Sequence, residues 1–252
     1  MQRERPMARL AEPRYGLARV LSKRGLCSRA QAEEWIRQAR VRVNGKLVRD
    51  PEFPVAPVRD IVELDGYEVS VSVPVHVMLN KPRGLVTTAR DERGRDTVYR
   101  CFEGASLNGA PLPWMAPVGR LDKASEGLLL FSNDTSWAAR ICDPETGPEK
   151  TYRVQVDLIP DEALLKALCV GLMVDGEHLR VVSASLLQKG QKNAWVEIVL
   201  DEGRNRHIRR LLQAFGVNVL RLVRTAIGGL ALGDLPKGQW RQLNMDDLHK
   251  LG

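Results

Sequence analysis

The stretch VGRLDKASEGLLLFSND, residues 118–134, joins a charged loop to an apolar segment. Arg120 and Asp122 lie two residues apart, and glycines flank them on both sides. The apolar run Leu128–Phe131 follows, and a short run of this kind between polar residues predicts a buried strand. We therefore expect a polar loop held rigidly against a buried strand, where an aspartate is shielded from water and still faces a substrate.

Length and composition indicate a globular protein. The chain has 252 residues, of which 27% are charged and 44% are apolar, which suits one large domain plus a small one. No apolar run approaches the ~20 residues that span a bilayer, and no signal segment begins the chain, so we expect a cytoplasmic protein with no membrane partner. The four cysteines and four histidines lack ligand spacing, so we expect reduced cysteines and no metal site.

The net charge of +7 is concentrated at one end of the chain. Residues 1–50 contain 13 Lys and Arg against 5 Asp and Glu, a balance of +8, whereas the remaining 202 residues contain 25 against 26, a balance of −1. Such a basic block is typical of a module that neutralises phosphates and releases counterions, although a solubilising tail has the same composition. The order predicted within the block favours the module.

Regular structure is predicted from about residue 16. Residues 1–15 are rich in Arg, Pro and Glu, and we expect them to form a disordered basic tail. Leu17, Val20 and Leu21 then share one face of a short helix, which Gly25 can end.

A second helix and a hairpin follow. Ser28 begins a capping-box spacing with Gln31 at the third helical position. One apolar face then recurs at helical spacing, through Ala32, Trp35, Ile36 and Ala39. The alternation VRVNGKLV predicts two short strands joined by an Asn-Gly turn. Basic side chains that fall mainly off the apolar faces can project towards phosphates, and these are Arg19, Lys23, Arg29, Arg37 and Arg40.

The larger domain is predicted to begin near residue 74, after a strand and a proline break. The segment VHVMLNK alternates like a strand, and Lys81 and Arg83 bring two cations into the turn after it. Residues 88–117 contain few periodic signals, so we expect loops with a short helix. Further strands are predicted in KTYRVQVDL and AWVEIVL, and a helix is predicted over residues 161–168.

A basic amphipathic helix is predicted beyond residue 206. Its apolar face is formed by Ile208, Leu211, Leu212 and Phe215, and Gly216 closes it. Arg206 and Arg210 fall on the opposite face. Arg209 falls at the edge of the apolar face, where a partly buried arginine needs an anionic partner.

Taken singly, these residues leave several chemistries open. An Asp–Arg pair is more often a structural salt bridge than part of a catalytic site, and Tyr152 is more often a core aromatic than a stacking platform. Asp122 and Glu126 could form a glycosidase pair, although their spacing is common on ordinary helices. The order of the segments along one basic chain is what favours a single function.

The basic block resembles a known RNA-binding module. The run LARVLSKRGLCSRAQAEEWIRQARVRVNGKLVRDP, continuing to DIVELDG, is similar to an S4 RNA-binding domain over about residues 16–66. Family members usually carry Gly where this chain has Ala39. The resemblance implies binding of structured RNA, chiefly through phosphate and shape contacts, and residues 67–74 then form a linker.

The rest of the chain resembles the RsuA/RluB-type pseudouridine synthases. The resemblance is carried by LNKPRGLVTT, GRLDKASEGLLLFSND, KTYRV, EGRNRHIRRL and RLVRTAIGGL, in this order, over about residues 76–245. Members often have Thr at the position of Ser125, and many have His at that of Asp143. The resemblance implies an α+β fold, in which the S4 helix pair and β-hairpin precede a catalytic domain over residues 75–252. That domain is expected to have a mixed, largely antiparallel sheet with flanking helices.

The resemblance also implies a reaction. An isomerase of this family breaks the N1–C1′ bond of a flipped uridine and rejoins the ring through C5, with neither cofactor nor metal. Asp122 corresponds to the catalytic residue, as nucleophile or as base on the ribose, and Arg209 to the basic residue that pairs with it and keeps it ionised. Tyr152 corresponds to the aromatic that stacks on the base. Arg120 is expected to order the loop, and Leu222 to pack beneath the site.

The expected partner is ribosomal RNA or a ribosome-assembly intermediate, bound by a monomer, with the large-subunit RNA preferred and the small-subunit RNA possible. RNA contacts are expected from Arg19, Lys23, Arg29, Arg37, Arg40, Lys81, Arg83, Arg206 and Arg210. A non-catalytic RNA-binding or assembly protein is a second hypothesis, but it predicts loss of the aspartate or the tyrosine. A retaining glycoside hydrolase using Asp122 and Glu126 is a third, but it predicts aromatic sugar platforms, and aromatics form only 5% of the chain.

Overall fold

The computed structural model describes residues 13–70 and 72–252, which form two compact units. The division falls between Val73 and Pro74, and the short segment Pro113–Met115 clusters with the first unit.

The expected disordered tail, residues 1–15, lies mostly outside the described residues. Tyr15 is described, and it pairs with Val55 in a two-stranded ladder. The prediction of a tail is therefore wrong at this residue, because a partner about 40 residues later orders it.

The described part of the first unit contains two helices and six short strands. In chain order they are β1 (Tyr15–Gly16), α1 (Leu17–Lys23), α2 (Arg29–Arg37), β2 (Val41–Val43), β3 (Lys46–Val48), β4 (Pro54–Val55), β5 (Val62–Leu64) and β6 (Tyr67–Glu68). Four strands form an antiparallel sheet in the order β3-β2-β5-β6. The two helices pack their apolar faces on this sheet, and Leu17, Leu21 and Ile36 are fully buried.

Local signals explain the ends of α2. The Ser28 hydroxyl accepts the backbone N–H of Gln31 at 3.2 Å, which is one half of the predicted capping box. The Gln31 side chain bonds to Glu34 instead of returning to Ser28. At the other end, Ala39 has φ 61, and the N–H of Arg40 reaches back to the carbonyl of Trp35 at 3.1 Å. The helix therefore ends in a Schellman turn, whose left-handed position usually holds glycine.

The second unit contains most of the regular structure. Its strands are β7 (His76–Lys81), β8 (Ser106–Leu107), β9 (Ala110–Pro111), β10 (Ala116–Val118), β11 (Glu126–Ser132), β12 (Lys150–Val156), β13 (Leu172–Val174), β14 (Glu177–Leu179), β15 (Ser183–Lys189), β16 (Ala194–Leu200), β17 (Val219–Ile227), β18 (Leu230–Ala231) and β19 (Trp240–Gln242). Its α-helices are α3 (Thr135–Cys142), α4 (Glu162–Val170), α5 (His207–Ala214) and α6 (Met245–His249), and a 3-10 helix spans Val98–Phe102. Among the helices in the described parts of the chain, none is long and apolar enough to cross a membrane.

One large sheet organises this unit. Its strands follow the order β15-β16-β12-β17-β11-β7-β19, with β10 beside β11 and β18 beside β17. The pairing of β11 with β17 is parallel, and the other pairings in the sheet are antiparallel. Every residue of β11 is buried, as its apolar run predicted. The expectation of loops over residues 88–117 is wrong in part, because β8, β9 and β10 also form there.

Candidate active site

The Asp122 loop, residues 119–125, connects β10 to β11. Gly119 enters it with φ 73, a conformation that favours glycine. The carbonyl of Asp122 accepts the N–H of Ser125 at 3.0 Å and closes a turn. The Asp122 side chain is 36% exposed, so it is open to a substrate. Contrary to the prediction, it is not shielded from water.

Five successive carbonyl oxygens of this loop accept hydrogen bonds from other parts of the second unit. Thr87 Oγ1 donates to Leu121 (2.7 Å), Lys81 Nζ to Asp122 (3.1 Å) and to Ser125 (2.8 Å), Gly84 N to Lys123 (2.8 Å), and Arg209 Nη2 to Ala124 (3.2 Å). A backbone held at every residue from 121 to 125 has little freedom, so the Asp122 carboxylate is held in one position.

Lys81 is central to this arrangement. Its side chain is fully buried, and its Nζ also donates to the carbonyl of Pro82 at 3.2 Å. Burial lowers the pKa of Lys81 to about 8, against the opposing effect of Asp122 and Glu126. The expectation that Lys81 contacts RNA is wrong, because its ammonium group faces the inside of the protein.

The ion pair of Asp122 differs from the predicted one. Among the described residues, the cation within 4 Å of its carboxylate is Arg206, whose Nη1 lies 3.9 Å from Oδ2. Arg209, the predicted partner, is half-buried and bonds to the carbonyls of Ala124 and Val219. Burial and the neighbouring Arg206 lower the pKa of Arg209, whereas Asp122 opposes that shift. Arg209 therefore positions the loop and acts on Asp122 through its charge, without a direct ion pair.

A cavity of about 560 Å³ opens beside Asp122. Five residues predicted for the site line it together, and these are Arg120, Asp122, Tyr152, Arg209 and Leu222. They come from the Asp122 loop, β12, α5 and β17, so the sheet assembles residues that lie up to about 100 positions apart in the chain.

The pairing of β12 with β17 determines which side chains lie side by side on the cavity floor. Tyr152 on β12 lies opposite Arg224 on β17, and Leu222 lies opposite Val154, so their side chains share one face of the sheet. Tyr152 is 8% exposed. Gly127 pairs with Arg224 from the other side, where an added Cβ would lie 2.2 Å from the Arg224 carbonyl oxygen. Glycine there lets β11 approach β17 closely.

Glu126, the second carboxylate of the glycosidase hypothesis, lies outside the cavity lining. Its side chain is 4% exposed and contacts Arg221 at 2.8 Å and Lys237 at 2.6 Å. Burial favours its neutral form, but these two cations outweigh burial and lower its pKa. A carboxylate paired with two cations is ionised, so Glu126 is not available as the general acid that a glycosidase pair requires.

The cations predicted to bind RNA differ in their freedom. Arg19, Arg29, Arg37, Arg83 and Arg206 are exposed, and Lys23, Arg40 and Arg210 are partly so. Arg29, Arg37 and Arg40 pair with Glu52, Glu33 and Asp65 at the surface. Arg210 pairs with Glu177 at 2.6 Å and with Asp175 at 3.2 Å, and its side chain is 19% exposed. Contrary to the prediction, it does not project freely into solvent.

Sequence reasoning missed other cavity residues. Lys150, Arg204 and Arg224 add three cations to the lining, and Asp143 and Glu202 add two carboxylates. Lys150 and Arg224 had a usable signal, because each lies two positions along its strand from a predicted residue, Tyr152 or Leu222. Within residues 13–70 and 72–252, no group of three or more His, Cys, Asp or Glu side chains could hold a metal ion.

Comparison with known proteins identifies the fold and its chemistry. A family model described as RNA pseudouridylate synthase matches residues 75–214, more than half of the chain, and an S4 domain model matches residues 16–62. The chain belongs to the RNA pseudouridylate synthase family. Members of this family are isomerases, so Asp122 and its cavity are the candidate active site of a pseudouridine synthase.

Relatives along nearly the whole chain agree with this assignment. The chain is 33% identical over 237 residues to ribosomal large subunit pseudouridine synthase B of Bacillus subtilis, covering 93% of this chain and 94% of that one. It is 39% identical over 236 residues to an uncharacterised RNA pseudouridine synthase of Mycobacterium leprae, covering 93% and 91%. A crystal structure of a pseudouridylate synthase matches with a TM-score of 0.64 and 28% identity, covering 94% of this chain and all of that one. These findings confirm the RsuA/RluB-type family with an N-terminal S4 domain and the α+β fold.

Proposed function

We propose that this pseudouridine synthase modifies one or a few uridines of ribosomal RNA, with the large-subunit RNA as the preferred substrate. The observation that carries the proposal is the position of Asp122, which is held by the hydrogen bonds to its loop and faces the same cavity as Tyr152. The name of the Bacillus subtilis relative supports the large-subunit RNA.

Each of the five predicted cavity residues has a part in this reaction. The target uridine leaves its stack and enters the cavity, where Tyr152 stacks on the base. Asp122 reaches the ribose as nucleophile or as base. Arg209 positions Asp122 through the carbonyl of Ala124, and Leu222 packs beneath the base. Arg120 also lines the cavity and helps to order the loop.

The first unit anchors the RNA. Arg19 and Lys23 lie over the ring of Tyr15, at 4.9 and 4.8 Å, and neither has a carboxylate within 4 Å among the described residues. Cations without partners are free to neutralise phosphates. In the second unit, the exposed Arg83 and Arg206 supply further cations for phosphates. The reaction rearranges atoms that the substrate already holds, so a cytoplasmic monomer without cofactor or metal suffices.

The experiment uses large- and small-subunit ribosomal RNA transcripts that carry no modification. They are incubated with the wild type, with Asp122→Asn or with Asp246→Asn, an exposed control on α6, and pseudouridines are mapped by carbodiimide-stop reverse transcription. We expect new stops in the large-subunit RNA with the wild type and the control, and none with Asp122→Asn. Absence of stops with the wild type, or equal stops with Asp122→Asn, would contradict the proposal.

A further inference from the structure

The floor of the cavity carries two cations that have no carboxylate partner. Lys150 and Arg224 line the cavity beside Tyr152, and within the described ranges no Asp or Glu oxygen lies within 4 Å of either. Arg224 is 5% exposed. Its Nε donates to the carbonyl of Leu128 at 2.7 Å, but its Nη2 is buried without a hydrogen-bond partner. A buried cation of this kind is costly and needs an explanation.

Strand geometry places both cations next to the base-stacking position. Lys150 and Tyr152 are two residues apart on β12, so they share a face, and Arg224 is the direct cross-strand neighbour of Tyr152. Ions in a pocket shielded from water interact strongly with a charge that develops there.

The other groups near these two cations do not form ion pairs with them: Asp201, whose charge acts on Lys150, pairs with Arg180 at 2.8 Å. Cys142 lines the same wall, but desolvation raises the pKa of its thiol above the ordinary value, so it is neutral at pH 7. Glu202 pairs with Arg204 at 2.8 Å. The carboxylate of Asp143 accepts the backbone N–H groups of two following residues. The cavity lining as a whole holds six Lys and Arg against three Asp and Glu.

The isomerisation itself creates an anion at this place. When the N1–C1′ bond breaks, its electron pair stays with the ring, whether Asp122 displaces the base or removes a ribose proton. The detached uracil therefore carries one negative charge, spread over N1 and the exocyclic oxygens. The ring then turns, C5 uses an electron pair to bond to C1′, and C5 loses its proton while N1 gains one. Until that bond forms, the anion must be held and stabilised.

We propose that Lys150 and Arg224 form the electrostatic partner of the detached uracil anion and hold it while it turns. The turn about the axis through N3 and C6 exchanges O2 with O4, so a cation beside one oxygen faces an oxygen before and after it. The inference rests on the function proposed above, and it adds a role for two residues to which the resemblance assigned none.

The test uses a synthetic stem-loop that contains the uridine mapped above, made with either uridine or 5-fluorouridine at that position. Lys150→Met and Arg224→Met are compared with Arg224→Lys, which keeps the charge, and with Lys192→Met, an exposed control. RNA affinity, melting temperature and the single-turnover rate of glycosidic-bond cleavage are measured, the last by mass spectrometry of nuclease digests.

We expect each Met variant to cleave the uridine substrate ~100-fold more slowly than the wild type, with RNA affinity changed less than about threefold. Fluorine stabilises the anion on its own, so 5-fluorouridine should restore much of the lost rate in the Met variants and change the wild type little. Arg224→Lys should retain more activity than Arg224→Met, and Lys192→Met should behave as the wild type.

Two results would overturn the inference. Loss of RNA affinity with the cleavage rate kept would show that these cations hold a phosphate. An equal effect of fluorine in the wild type and the variants would show that neither cation stabilises the base. Arg224→Met removes the hydrogen bond from Nε to the carbonyl of Leu128, whereas Lys150→Met removes no such bond. Lys150→Met therefore decides the question if Arg224→Met does not fold. A wild type that modifies no ribosomal RNA would instead refute the proposed function.

Discussion

Arg206 Nη1 lies 3.9 Å from Asp122 Oδ2, whereas Arg209 bonds to the carbonyl of Ala124 in the same loop. The two arginines therefore act on the aspartate in different ways. Arg206, with a side chain 52% exposed, supplies a weak and solvent-screened ion pair. Arg209 is half-buried and fixes the backbone that carries the aspartate.

This difference predicts unequal effects of removing each arginine. Arg209→Met should lower the single-turnover rate ~100-fold, because a small displacement of a catalytic group is costly. Arg206→Met should lower it less than about fivefold, because an exposed ion pair contributes at most ~1 kcal/mol. Rates are measured at saturating protein, so that changes in RNA affinity do not contribute. An equal or larger loss with Arg206→Met would assign the main role to the direct ion pair.

Lys81 predicts a specific pH dependence of stability. Its pKa is about 8 in the folded protein and 10.5 ordinarily, so the unfolded chain binds more protons between these values. The free energy of unfolding contributed by this group should therefore rise as the pH increases from about 8 to about 10.5. Urea denaturation at pH 7 to 10 compares the wild type with Lys81→Met, whose curve should lack this rise. Parallel curves for the two proteins would show that Lys81 has an ordinary pKa.

Ala39 predicts a stabilising substitution. It has φ 61 at the end of α2, where an L-residue with a Cβ is strained. Ala39→Gly should raise the free energy of unfolding by about 1 kcal/mol, because glycine adopts this conformation without strain. Ala30→Gly is the matched control in the first turn of the same helix, and it should destabilise by about 0.5–1 kcal/mol. Chemical denaturation checks both, and equal signs for the two variants would contradict the account.

Arg19 and Lys23 predict the salt dependence of RNA binding. Replacing both with Gln should weaken binding and reduce the slope of log K against log salt concentration by about 1.5, since each phosphate contact contributes 0.7–0.9. Arg210→Gln is the control, because Glu177 and Asp175 already neutralise that arginine. Filter binding at several salt concentrations measures both. A slope that falls more for Arg210→Gln than for the double variant would place the RNA elsewhere.

Much of the fold follows from local pattern. The periodic segments of β11, β12, β16, α2 and α5 form as predicted, since an apolar face suffices to specify a strand or a helix. The strands β8, β9 and β10 have only two or three residues each, too few for a periodic signal. β8 and β9 pair with each other in a local hairpin, whereas β10 forms against β11, a later part of the chain, as Tyr15 does against Val55.

The sequence predicted which residues form the candidate active site better than it predicted which contacts they make. The motifs singled out Asp122, Tyr152, Arg209 and Leu222, and the structure brings them to one cavity. Whether a cation faces solvent or the interior depends on tertiary packing, so the burial of Lys81 was not predictable from its type. Arg206, which contacts Asp122, has φ 49 just before α5, a left-handed conformation that no sequence period predicts.

The central claim is that Asp122 drives isomerisation of uridine in ribosomal RNA. Its most direct test is release of tritium from large-subunit RNA labelled at C5 of uracil, because C5 loses its hydrogen when it bonds to C1′. The wild type should release tritium in proportion to the pseudouridines formed, and Asp122→Asn should release none above background while still binding the RNA. Tritium release by Asp122→Asn at the wild-type rate would contradict the account.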